Sequence, residues 1–297
     1  MSMGPPVTAT VVELADGRSL AYAEHGDPDG RLVMAFHGTP GSRAQLAGAA
    51  QAAAEAGVRL VLPDRPGYGH SSWAPRRRLA DWAEDVAALA DHLGVERFAV
   101  VGVSGGGPHA LACASLLGPR VSGVGIVSGV GPMTDPALMA TRPRAHRVLL
   151  HLRFLWLPVV RLVIAFGLRA WRRAPRAVLA LAQRTMPARD AEIVAQPEVR
   201  QRILEEARGV PSPTVARAAT QDIALFCSRW DLPLDRIGAT VDLWHGEADE
   251  TVPVDHARHL ASVLPRARLR QFPGEGHLLV EERIGEILRA VTDPTVP

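Results

Sequence analysis

The chain has 297 residues, 47% of them apolar and 22% charged, with a formal net charge of +2 at pH 7. This is the balance of a folded globular protein with room for one large domain or two modest ones; it excludes a disordered chain, and so small a net charge points to no nucleic-acid partner. All 33 cationic residues other than histidine are arginine, a bias we assign to genome composition and not to function.

In chain order, the opening Met-Ser-Met-Gly-Pro-Pro lacks the basic-then-apolar pattern of a secretory signal, so a cytoplasmic location is expected. Residues 7–14 and 19–25 alternate around Asp16-Gly17, which predicts a hairpin. Strands are predicted at 31–36, 58–62, 98–103 and 121–127, and helices at 42–57, 79–93 and 108–117. Two further strands, 240–244 and 268–272, each precede a helical pattern. Continuous apolar strands alternating with helices predict an α/β fold, a mostly parallel sheet covered by helices on both faces. Cys113 and Cys227 are too few for a disulfide framework, and Cys113 reads as a small core residue.

The alternation stops over residues 133–236, which are helical in character and punctuated by prolines. This segment holds 17 arginines against nine acids, a formal +8, and the remainder carries a formal −6. The coincidence predicts a helical cap at 133–236 inserted into a core of 1–132 and 237–297. Residues 98–119 and 149–171 are apolar enough to suggest membrane spans. Gly105-Gly106-Gly107-Pro108 breaks the first; Arg153, Arg161, Arg169 and Pro158 are expected to break the second. No transmembrane segment is predicted, and 149–171 reads as lid helices.

The chemistry centres on Gly102-Val103-Ser104-Gly105-Gly106. A strand ends here and a helix begins, so Ser104 sits on a sharp turn that needs small residues two positions either side. A serine hydroxyl needs a base, and the base needs an orienting carboxylate. His245-Gly246-Glu247-Ala248-Asp249 and Gly276-His277 follow the last two strands. In a parallel sheet, loops after successive strands gather at the carboxyl edge, so Asp249 and His277 can meet Ser104. Glu247, Asp242 and Glu250 compete with Asp249, and Asp135 is a fallback acid. Oxyanion donors are expected from the amides of Gly105 and of Thr39, in the loop His37-Gly38-Thr39-Pro40-Gly41.

Together with Asp64-Arg65-Pro66-Gly67-Tyr68-Gly69-His70-Ser71, these motifs run in order over residues 37–277. The sequence resembles the α/β-hydrolase fold family. The resemblance implies an esterase, lipase, peptidase, lactonase or related hydrolase, with Ser104, Asp249 and His277 as catalytic residues. Serine at 104 departs from the dehalogenase and epoxide-hydrolase branches, which carry aspartate there. The expected substrate is a small acyl compound with an apolar part, cleaved through an acyl-enzyme on Ser104. Rival readings are an amidase of the proline iminopeptidase type, an acyltransferase or perhydrolase, and a ligand-binding protein without turnover. No metal or cofactor is expected. His37, His109 and His245 read as structural, Asp64 and Arg65 as loop-fixing, and Trp73, Trp82 and Trp230 as packing. Phe154, Trp156 and Phe166 are expected to shape substrate preference from the cap.

Overall fold

A computed structural model describes residues 9–140, 153–209 and 214–293. Its strands are β1 (Thr10–Glu13), β2 (Ser19–Gly26), β3 (Arg31–Phe36), β4 (Val58–Pro63), β5 (Phe98–Val103), β6 (Val121–Val127), β7 (Val241–Gly246) and β8 (Ala267–Phe272). They form one sheet in the order β1-β2-β4-β3-β5-β6-β7-β8. β1 pairs antiparallel with β2, closing the hairpin at Asp16-Gly17, and β2 pairs antiparallel with β4. All later pairings are parallel. The mostly parallel sheet read from the sequence is therefore present.

The core helices before the insertion are α1 (Ala50–Glu55), α2 (Leu79–His92) and α3 (Gly107–Leu116). Helices α4 (Pro136–Ala140), α5 (Arg153–Arg173), α6 (Pro175–Gln183), α7 (Ala188–Ala195), α8 (Pro197–Gly209) and α9 (Val215–Phe226) lie between β6 and β7. The chain closes with α10 (Asp255–Val263) and α11 (Val280–Thr292). Alternation along β3 shows why both faces need cover. Met34 and Phe36 pack with α2 and α3, whereas Val33 and Ala35 pack with α1 and α11. Trp82 of α2 meets Phe36 edge-on at 5.3 Å, inside the core.

Two expectations are corrected. The helix at 42–57 starts as a 3-10 segment, Arg43–Ala49, and becomes α-helical only from Ala50. Asp64 takes the Arg43 amide at 2.8 Å, and the Ser42 hydroxyl accepts from Ala44, so these contacts fix the tight first turns. Pro158 does not break its segment: α5 runs through it. The proline forfeits one backbone hydrogen bond, and the rest of the 21-residue helix carries on.

Candidate active site

β5 ends at Val103, and the next residue, Ser104, has φ of 53°, the left-handed region that serine rarely adopts. A short 3-10 turn, Ser104–Gly106, then leads into α3. A Cβ on Gly102 would lie 2.5 Å from the Gly106 carbonyl oxygen, and one on Gly106 would lie 2.2 Å from that of Phe36. Side chains at either position would push the turn open. The two glycines thus hold Ser104 at the carboxyl edge of the sheet.

β7 ends at Gly246, and Asp249 follows in the next loop with its side chain buried. Its Oδ2 lies 2.7 Å from His277 Nδ1, and its Oδ1 accepts the amides of Thr251 at 2.9 Å and Val252 at 2.8 Å. Burial pushes the Asp249 carboxyl up, but hydrogen bonds from His245 and His277 outweigh burial and hold it well below the usual carboxylate range. An ionised Asp249 selects the His277 tautomer protonated at Nδ1, which leaves Nε2 as an acceptor. The rival acids have other partners or face solvent. Asp242 pairs with Arg268 at 2.9 Å, Asp135 lies 3.7 Å from His259, and Glu247 and Glu250 are exposed. The loop after β6 joins the halves: the Val130 amide donates to the Ser104 carbonyl at 3.3 Å, and the Ser128 hydroxyl donates to that of His277 at 3.1 Å.

The loop after β3 abuts the same turn. A Cβ on Gly38 would lie 3.5 Å from Ser104 Cβ, and one on Gly105 would lie 2.4 Å from Thr39 Oγ1. The Thr39 side chain is thus packed directly against Gly105. The Gly38 amide is engaged by Gln45 at 2.7 Å.

Beneath this loop lies a buried charged network. Arg65, with none of its surface exposed, donates to the Gly38 carbonyl at 2.9 Å, the Thr39 hydroxyl at 2.7 Å and Asp222 at 2.6 Å. Asp222, on α9, also accepts from the Thr39 hydroxyl at 3.0 Å, the Tyr68 hydroxyl at 2.7 Å and Arg77. His37 accepts the Arg65 amide at Nε2 and faces the Gly38 carbonyl with Nδ1. Burial, aided by Arg65, pushes His109 down to about 3, so this imidazole is a neutral packing group, its Nδ1 on the Gly105 carbonyl at 3.0 Å. Burial alone would raise Asp222, but Arg65 and Arg77 hold it well below the usual range.

These depressed carboxylates set a pH dependence. Asp249 and Asp222 contribute stability above their unfolded value of about 3.9, and that contribution is lost as pH falls below it toward the folded values. Denaturant titrations from pH 6 to pH 2.5 should show a steep acid loss. Asp222→Asn should flatten that limb, and an unchanged slope would assign the acid sensitivity to other groups.

Residues 31–153 match the family model described as alpha/beta hydrolase fold. The magnesium-chelatase 30 kDa subunit of Rhodobacter capsulatus is 30% identical over 277 residues, covering 86% of this chain and 84% of its own. The chain belongs to the α/β-hydrolase fold family. The hydrolase YcgS of Bacillus subtilis is 32% identical over 115 residues, so the match spans only 39% of either chain. An esterase from Exiguobacterium antarcticum superposes with a TM-score of 0.69 at 18% identity, covering 96% of this chain and 98% of its own; at that identity the likeness concerns the fold.

In this member of the α/β-hydrolase fold family the helices between β6 and β7 also reach the loop that carries His277. Asp190 of α7, 3% exposed, accepts the amides of His277 at 3.0 Å and Leu278 at 2.9 Å. A cavity of about 370 Å³ lies against His277, walled on the insertion side by Ala182, Thr185, Met186 and Pro187. Ser104 is outside its lining. Phe166 is also outside it and is 74% exposed, which corrects the expectation that this ring shapes a pocket. Ile164 and Leu168 turn inward instead, against Tyr68 and Val215. The side chain of Phe154 lies outside the described residues, and Trp156 is half-buried.

Asp190 and Asp222 were not read from the sequence, although a signal was there. Val215, Ala218, Ala219, Asp222 and Phe226 recur at helical spacing and are all buried, as are Asp190, Ile193 and Val194. An acid on the apolar stripe of an amphipathic helix must be paired when buried.

Proposed function

We propose that this protein is a serine hydrolase cleaving a carboxylic ester or related acyl compound with an apolar part. Ser104 Oγ attacks the acyl carbon while His277 Nε2 takes the hydroxyl proton. The amides of Thr39 and Gly105 hold the oxyanion, and Asp249 stabilises the imidazolium. His277 returns the proton to the leaving alcohol as the carbon–oxygen bond breaks. Water then attacks the acyl-enzyme, giving its proton to His277; the acid departs and Ser104 is reprotonated. The observation that carries this reading is the 2.7 Å Asp249–His277 contact in a loop tied, through Ser128 and Val130, to a serine held in the left-handed region. Residues 133–236 act as the cap over a core of 1–132 and 237–297; α6 and α7 supply the wall opposite His277, and the chemistry stays in the core.

A panel of aryl esters, lactones and aminoacyl amides, with Ser104→Ala as control, tests the reaction class. Preferred hydrolysis of esters is expected. Preferred hydrolysis of aminoacyl amides would make the protein an amidase, and partition to added alcohol or peroxide would make it an acyltransferase or perhydrolase. Asp249→Asn should keep the fold and lose on the order of 10⁴ in kcat, because the wrong imidazole tautomer then faces Ser104. Asp135→Asn should stay near the parent. A reversal of those two results would place the acid after β6.

A further inference from the structure

Helix α5 has two apolar faces. The inner face sets Ile164 and Leu168 against Tyr68, Val215, Ala218 and Ala219. The outer carries Val159, Leu162, Val163 and Phe166, which are 58%, 70%, 64% and 74% exposed. Their i, i+3, i+4 and i+7 spacing makes one continuous stripe. The line Leu162–Phe166 continues at the same spacing into Arg169 and Arg173, both exposed. Arg161 and Arg172 are exposed beside it. The helix sequence, RFLWLPVVRLVIAFGLRAWRR, contains no acidic residue.

A stripe of large apolar side chains in water is costly unless something covers it. Its occupant must accept apolar side chains and balance a one-signed row of guanidinium groups. A second copy fits poorly, because a two-fold contact brings the same patch to itself and sets arginine against arginine. An anionic lipid surface meets both needs: acyl chains receive the apolar stripe, and phosphate headgroups receive the arginines. Among the described residues no helix is long and apolar enough to cross a membrane, so α5 would lie in the interface plane. We propose that the outer face of α5 docks this protein on anionic lipid bilayers through Val159, Leu162, Val163 and Phe166, with Arg169 and Arg173 on headgroup phosphates. The proposal does not depend on the reaction assigned to Ser104.

Co-sedimentation tests it with two vesicle types: phosphatidylcholine alone, and equal parts phosphatidylcholine and phosphatidylglycerol. The protein should bind the mixed vesicles, bind phosphatidylcholine far less, and dissociate as salt rises. Arg169→Gln and Arg173→Gln should each weaken binding to mixed vesicles about fivefold. Leu162→Ser combined with Phe166→Ser should abolish binding, and circular dichroism should show the parent fold because both side chains face outward. Absence of the parent protein from the mixed-vesicle pellet would overturn the proposal. So would full binding by the double serine variant, or a dimer in solution that those substitutions dissociate.

Discussion

Replacing Ser104 with alanine is expected to lower kcat by about 10⁶-fold, leaving roughly the 10³–10⁴-fold advantage over water that binding and an oxyanion hole can supply. The reason is local. Once the hydroxyl is gone, His277 has no proton to take and the acyl group no atom to join. The loop after β3, by contrast, is held by its own hydrogen bonds: Arg65 on Thr39 and the Gly38 carbonyl, and Gln45 on the Gly38 amide. KM should therefore change much less than kcat. Steady-state kinetics on the best ester of the panel reads both quantities, and an alanine variant within about tenfold of the parent would remove Ser104 from the mechanism.

The second large effect concerns stability. Asp222 is fully buried and is the carboxylate on which two guanidinium groups, Arg65 and Arg77, converge. Asp222→Ala leaves those cations without their counter-charge, and breaking a buried pair in this way costs about 3–5 kcal/mol. The urea midpoint should fall accordingly with the slope preserved, which marks a change in stability and not in the unfolded chain. Thr39 also loses the acceptor of its hydroxyl, so kcat at temperatures where the variant remains folded should drop as well. A stability loss below about 1 kcal/mol would mean that water or rearranged arginines compensate, and that Asp222 is not the keystone of this network.

Much of this was legible beforehand because parallel sheets impose simple rules. The strands at 98–103 and 121–127 have the expected ends, since each is a short apolar run between turn residues. Asp249 and His277 meet because loops after neighbouring strands β7 and β8 must share an edge. The insertion was legible as helices but not as surfaces. Periodicity cannot say which apolar face of α5 turns inward when apolar residues surround the helix, so the sequence does not separate the exposed Phe166 from the inward Ile164 and Leu168. Asp190 and Asp222 escaped because their partners, the His277 and Leu278 amides and the Arg65 and Arg77 side chains, lie far away in sequence. Only the tertiary fold shows that the helices between β6 and β7 grip the loop after β3 with one carboxylate and the loop after β8 with the other.

The central claim is that Ser104 becomes covalently acylated with His277 as its base. Intact-protein mass spectrometry after exposure to a small fluorophosphonate reads this directly: attack by Ser104 Oγ displaces fluoride and leaves one phosphonyl group on the enzyme. The account predicts a single adduct, mapped to the peptide containing Ser104, absent from Ser104→Ala and formed much more slowly by His277→Ala. A folded protein that gains no adduct, or gains it equally in Ser104→Ala, would contradict the account.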